Sequence, residues 1–300
     1  MTPAADTVGE HLLMENAAMS AYAHPDALVE TDWLAEHATD PNVRVFEVDI
    51  DTSAYHQGHV AGAIGLNWKS DLQQHPVRDI LSKAQIEALL SAHGVVPGTI
   101  LAVYGDNNNW FAAWFFWLLK YYGHQDVRLV NGGRVTWLAE RRPITTAVPS
   151  YPASRYTAAG PDGSLRALRA YVLEAVETKG TALVDVRSPK EFSGELIAPE
   201  NLPQEGAQRA GHITGAANVP WSAAVAKDGR FKSADELRAI YAGKGLDGSK
   251  ETIAYCRIGE RSSHTWFVLK YLLGHENVRN YDGSWTEYGS LIGAPIESGS

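Results

Sequence analysis

Cys256 is the one cysteine of this chain, and the residues behind it are Arg257, Ile258, Gly259, Glu260, Arg261 and Ser262. A single thiol can close no intrachain disulfide and can run no dithiol exchange, so it either packs as a small apolar side chain or acts alone as a nucleophile. Packing requires neither two guanidinium groups nor a glycine turn. A thiolate benefits from both: cations and inward-facing amides favour the ionised sulfur and any oxyanion held beside it. Gly259 permits the tight curl. The apolar run TIAY before Cys256 reads as a buried strand. The next helix is expected to begin near Ser262, with Ser262 or Ser263 as its cap, which would turn the loop N–H groups over the thiol.

Loop length separates the available chemistries. Cysteine phosphatases close their cradle with an arginine at the sixth position after cysteine; here that position is Ser262, and Arg261 is the fifth. The smaller ring suits an extra sulfur atom on Cys256 better than a phosphoryl group. Thiolate attack on sulfur needs no proton abstraction once the thiol is ionised, so His264, on the following helix, reads as a packed or solvated ring. Glu260 and Glu191 read as partners that neutralise and direct Arg261. Asp185 reads as structural at a strand end, and Arg187 as a candidate for substrate.

The elements that must position this loop come from a repeat. GHVAGAIGLNW (58–68) matches GHITGAANVPW (211–221), and YYGHQDVRLVNGG from Tyr121 matches LLGHENVRNYDGS from Leu272. The same offset lays Tyr104 on Tyr255, and the upstream strands set Asp49 opposite Asp185. Two copies of one domain follow. In each, short β-branched runs alternate with helical periods: strands at 43–48, 100–104 and 127–130, then 182–186, 252–255 and 278–281. Helices are expected at 83–93 and 110–122, then at 165–177, 234–241 and 262–273. This alternation predicts an α/β fold in which each copy is a mostly parallel sheet with helices on both faces, ligands lying beyond the carboxyl ends of the strands. The expected divisions are an N-terminal arm (1–20), a first copy (21–142), an extended connector over the surface (143–163) carrying Pro143, Pro149, Pro152 and Pro161, and a second copy (164–300).

Composition excludes several partners. The formal charge of -9 and the lack of a basic run argue against nucleic acid and anionic membrane surfaces. The first twenty residues contain no Lys or Arg and read as neither signal peptide nor anchor, and Trp110–Leu119 is too short to span a bilayer. One thiol suits a reducing cytosol, and a cytoplasmic location is expected. His56 and His59 have a metal-like spacing without completing ligands; His59 and His212 recur in both copies, as do His124 and His275, so these serve turn architecture and neither metal nor cofactor is expected. Trp110, Trp114 and Trp117 have helical spacing and read as core or the seam between the copies, where one could wall a cleft.

LVDVR, GHITGAANVPW, CRIGERS and YDGSWTEY together resemble the rhodanese family, specifically its tandem-domain bacterial thiosulfate sulfurtransferases. The resemblance implies that only the C-terminal copy is active, and the first agrees: Gly105 and Asp106 stand where the second has Cys256 and Arg257. It implies transfer of sulfur from thiosulfate through a Cys256 persulfide to cyanide or a thiol, with Arg187, Arg257, Ile258, Gly259, Glu260, Arg261 and Ser262 around the substrate. Ile258 replaces the basic residue many relatives carry two positions after cysteine, with Arg261 available to supply that charge. Glu191 replaces a second substrate arginine, which disfavours mercaptopyruvate as donor. The remaining alternatives are a mercaptopyruvate sulfurtransferase and a persulfide carrier to a protein partner. Two copies packed together make a monomer plausible.

Overall fold

The computed structural model describes residues 21–198 and 206–299, so the expected arm at 1–20 lies outside the described residues. The first copy runs β1 (Leu28–Val29), α1 (Thr31–His37), β2 (Val43–Asp49), α2 (Ser53–Gln57), β3 (Ala63–Asn67), α3 (Trp68–Asp71), α4 (Lys83–Ala92), β4 (Ile100–Tyr104), α5 (Trp110–Tyr121), β5 (Val127–Val130) and α6 (Gly133–Ala139). The second runs α7 (Arg169–Thr178), β6 (Ala182–Asp185), α8 (Pro189–Ser193), β7 (His212–Ile213), β8 (Ala217–Asn218), α9 (Ala234–Ala242), β9 (Thr252–Tyr255), α10 (Glu260–Phe267), β10 (Val278–Tyr281), α11 (Ser284–Tyr288) and β11 (Ile296–Glu297).

The first sheet is parallel throughout, in the order β1-β5-β4-β2-β3, and the second repeats it as β10-β9-β6-β8. Apolar strands buried along both faces are what this arrangement demands, and β9 is buried at every residue. A single parallel bridge, Arg166 to Asn280, takes the edge place that β1 fills in the first copy. The antiparallel pair β7–β11 has its counterpart in the bridge between His59 and Thr145. The pair His59 and His212 does belong to turn architecture. His59 stacks on Tyr55 at 3.9 Å and meets the Tyr55 carbonyl, as His212 stacks on Phe192 at 3.5 Å and meets the Phe192 carbonyl.

Sheet register corrects one alignment. β2 sets Glu47 beside Tyr104, and β6 sets Asp185 beside Tyr255, so the counterpart of Asp185 is Glu47 and not Asp49. The tyrosines confirm it: the Tyr104 hydroxyl accepts from Val60 N and that of Tyr255 from Ile213 N, each at 3.1 Å. Sequence comparison slipped because both residues are acidic and two apart, on the same side of one strand.

Residues 146–162 form neither helix nor strand, and this segment does not stay wholly on the surface. Tyr156 and Ala158 are buried, and the Tyr156 hydroxyl lies 3.0 Å from His124 Nδ1. The helix expected from Leu165 starts instead at Arg169, after a short 3₁₀ turn at Gly163–Leu165. Strands β1, β7, β8 and β11 were not expected from the sequence because two residues carry no periodicity, and β3 was not because Gly65 and Asn67 interrupt its apolar run.

One helix joins the copies. α5 is apolar on all sides and buried from Phe111 to Leu119, the pattern of a helix with no solvent face. It packs along α10, with Phe116 and Phe267 edge to face at 5.0 Å. The turn between β8 and α9, closed by the antiparallel bridge of Val225 with Phe231, docks onto the first copy through Arg230, which binds Glu30 at 3.2 Å and also Glu140. Apolar side chains of both copies therefore share one core.

Candidate active site

Cys256 follows β9 directly and is fully buried. Its N–H donates to Ser284 Oγ at 3.0 Å, and its carbonyl accepts from Trp285 N at 3.1 Å, so the first turn of α11 fixes the strand end. Gly259 adopts φ +102°, a left-handed conformation that folds the chain back until its own N–H donates to Cys256 Sγ at 3.1 Å. A Cβ there would come within 2.8 Å of the Asp282 Cα, so the loop accepts no larger residue. α10 starts at Glu260, two residues before the expected start, because Gly259 is its N-cap. Ser262 and Ser263 are thus inside the helix, and both hydroxyls donate back to the Gly259 carbonyl, at 3.1 and 2.7 Å.

Two arginines flank the thiol, and both are buried. Glu191 grips Arg261 with two bonds of 3.0 and 3.1 Å. Glu191 is itself fixed by the capping box of α8, in which it accepts from the Ser188 N–H and hydroxyl. Burial opposes ionisation of Glu191, but the Arg261 bonds prevail and hold its carboxyl below the usual range. The Arg257 carbonyl is tied to Thr286 N and Oγ1 at 3.0 and 2.7 Å. Ile258 is buried and lines a small crevice with Trp68 and Trp114 of the first copy.

Glu260 is placed differently from expectation. Its Oε2 accepts from the Cys256 thiol at 3.2 Å, while Oε1 stands 3.5 Å from Arg261 Nε without a hydrogen bond. Burial pushes the Cys256 thiol up and the Glu260 carboxylate adds to this; Arg261 and the amides of Ser262 and Gly259 pull the other way without prevailing. The loop was expected to favour thiolate outright. Burial overturns that expectation because desolvation penalises the anion wherever the pocket is closed.

Arg187 is not brought to this group. It lies on the opposite face of the sheet with Tyr255 and Trp285, bound to Asp185 through Nε and Nη2 and to the Gly211 carbonyl at 2.6 Å. The first copy holds the same arrangement from other residues: Arg134 binds Glu47 at 2.5 Å and the Gly58 carbonyl at 2.6 Å. A pair built into both copies, including the one without a thiol, is architecture. His264 is buried between Trp221 and Phe231, and burial holds it neutral, down to about 3.

A cleft of about 460 Å³ opens between the copies beside the loop, bordered by Asn107 and Trp110 on one side and by Glu191, Trp221 and Arg261 on the other. Trp110 and Trp221 meet edge to face at 4.8 Å, and the Arg261 guanidinium lies 5.8 Å from the Trp110 ring. Sequence reasoning anticipated a tryptophan wall but missed Ser284, Thr286 and Trp221. Ser284 has φ +50°, rare for serine, and the sole sequence signal was its place in YDGSWTEY. Among the described residues no group of three His, Cys, Asp or Glu side chains could hold a metal, and no helix is long and apolar enough to cross a membrane.

Two parallel α/β copies, one ending a central strand in a cysteine loop, define a class of thiol-bearing α/β tandem proteins. The model of the Rhodanese-like domain matches residues 30–140 and 168–291, so the chain belongs to the rhodanese family and carries two rhodanese-like segments. It is 57% identical over 278 residues to "Putative thiosulfate sulfurtransferase" of Mycolicibacterium smegmatis, covering 93% of this chain and all of that protein. It is 55% identical over 282 residues to "Sulfur carrier protein TtuD" of Thermus thermophilus, covering 93% and 99% of the two chains. Among solved structures, YnjE superposes with a TM-score of 0.81 at 25% identity, over 93% of this chain and 70% of that one. The anaerobic ergothioneine biosynthesis enzyme of Chlorobium limicola shares the fold, with a TM-score of 0.82 at 23% identity over 93% and 72%.

Proposed function

We propose that this chain is a sulfurtransferase that takes the outer sulfur of thiosulfate onto Cys256 and passes it, from a persulfide, to cyanide or a thiol. The observation that carries this reading is the Gly259 amide 3.1 Å from a solitary thiol at a strand end, with the paired Arg261 bordering both loop and cleft. The Cys256 sulfur attacks the outer sulfur, the S–S bond of thiosulfate breaks, and sulfite leaves with the bonding electrons. Loop amides from Gly259 to Ser262 and the guanidinium groups of Arg257 and Arg261 stabilise the anionic persulfide, a preorganised contribution of about 3 kcal/mol for an important donor. Ile258 and Gly259 shape the ring rather than carry charge.

In this reading residues 164–300 form the catalytic copy, and 21–142, joined by 143–163, form a non-catalytic wall of the cleft. The lone thiol suits a reducing compartment such as the cytosol. Brief exposure to thiosulfate is expected to add about 32 Da, one sulfur atom, to the peptide containing Cys256. An unchanged mass, or label elsewhere, refutes the proposal.

A second reading, a sulfur carrier that hands persulfide to a protein, is favoured by the 55% identity to the Thermus relative of that name. The cleft, far larger than cyanide needs, is compatible with it. Comparing thiosulfate turnover with transfer from a donor enzyme separates the two: rapid loading from protein with negligible thiosulfate turnover selects the carrier.

A further inference from the structure

The loop holds a carboxylate where a pocket for anions should have none. Glu260 is buried, and its hydrogen bond is to the thiol that must ionise. Directing Arg261 does not account for it, because Glu191 already provides the bidentate grip and Glu260 reaches Arg261 without a hydrogen bond. A permanent negative charge there would repel thiosulfate and oppose both thiolate and persulfide. A carboxylate that takes up the thiol proton would do neither.

We propose that Glu260 is a catalytic residue that accepts the Cys256 proton as the persulfide forms and, as a neutral acid, then donates a hydrogen bond to the persulfide. This rests on the sulfur-transfer reading above. The S–H bond breaks as the O–H bond forms on Oε2, and the freed sulfur pair attacks the outer sulfur of thiosulfate. The S–S bond of thiosulfate breaks toward the departing sulfite, so the cysteine sulfur is oxidised and the sulfonate sulfur reduced. When a cyanide or thiolate acceptor takes the terminal sulfur, the bonding pair returns to Cys256, and the proton goes back from Glu260. One negative charge stays on the pair throughout, so the buried arginines never face a doubly charged or neutral site. The charged groups facing the pair are Arg257 and Arg261 of its own loop and Glu191 of α8 behind Arg261; α11 contributes the uncharged Ser284 hydroxyl, 4.0 Å from the sulfur.

The active form in this scheme contains one proton shared between two groups, which predicts a bell-shaped pH dependence. Single-turnover persulfide formation from thiosulfate, followed by quenched intact mass across pH, is expected to rise and then fall in the wild type. The alkaline limb marks loss of the shared proton. In Glu260→Gln the amide keeps the shape and can donate, but it cannot titrate, so the alkaline limb is expected to vanish and the rate to climb to a plateau with the thiolate. Glu260→Asp retains the bell at reduced rate. A wild-type profile that only rises, or a Glu260→Gln profile of unchanged shape and uniformly scaled rate, overturns the proton role. A wild-type profile that only rises overturns the role even if a variant fails to fold. Absence of any persulfide on wild-type Cys256 would instead refute the sulfur-transfer reading itself.

Discussion

The loops after β4 and β9 occupy equivalent places and carry opposite chemistry. After β9 come a thiol, two arginines and an amide on the sulfur. After β4 come Gly105 and Asp106, then Asn107, Asn108 and Asn109, all three with left-handed φ. The Gly105 N–H is satisfied by Asn109 Oδ1 at 2.9 Å, as the Cys256 N–H is by Ser284 Oγ. Asp106 N donates to Asp49, which stands two residues past Glu47, where the second copy has Arg187 beyond Asp185. Both loops therefore satisfy the first amide from a side chain, while the residues and backbone that follow decide whether an anion is welcome. The first loop also has no room for a nucleophile: a Cβ at Gly105 would overlap the Val48 carbonyl oxygen.

The contrast can be broken most severely at the thiol. Cys256→Ala is expected to abolish persulfide formation and turnover with an unchanged circular dichroism spectrum; residual turnover would dissociate the chemistry from this loop. Glu191→Gln comes next, since it strands a buried Arg261. Breaking such a pair costs about 3 to 5 kcal/mol, seen in a denaturant midpoint, and sulfur capture should fall with it. Because the Glu191 pKa is lowered on folding, its stabilisation is complete above the unfolded value of about 4.3 and is lost as pH falls through the folded one. The variant should lack that acid slope.

Gly105→Cys asks whether the first loop merely lacks its sulfur. It is expected to lower Tm and to add no second 32 Da increment on thiosulfate treatment, since overpacking against backbone costs about 1 to 3 kcal/mol. Arg187→Met and Arg134→Met should destabilise to similar extents while leaving the KM for thiosulfate unchanged; a raised KM in the former alone would restore Arg187 to substrate binding.

Asp49 sharpens the comparison through pH alone. Burial first, then the Asp106 and Glu47 carboxylates, push its carboxyl up to about 9, whereas the unfolded chain ionises near pH ~3.9. The folded state thus binds the extra proton, and this position contributes falling stability as pH rises between those values. Asp49→Asn should flatten that decline, read as Tm against pH.

Legibility in the sequence followed the length of the signal. The strands at 100–104, 127–130, 252–255 and 278–281 have the bounds expected of them, because β-branched runs between turn residues permit little else. The start of α10 was misplaced, because a serine cap is a local preference whereas a left-handed glycine is set by contact with Asp282. The bidentate Arg261–Glu191 pair could be anticipated in outline. The attachment of Glu260 to the thiol could not, since α10 is polar in sequence and a polar helix normally faces water.

By itself the sequence determined the repeat, the parallel α/β architecture, the position of the thiol at a strand end and the absence of a counterpart in the first copy. These follow from patterns carried by neighbouring residues. Only the tertiary structure decided the sign of the thiol's environment, the partner of each arginine and the assignment of Glu47 rather than Asp49 to the strand-end pair. Register between strands far apart in the chain exists only once each sheet has paired, burial exists only once the chain has packed, and desolvation of a charge has no local signature.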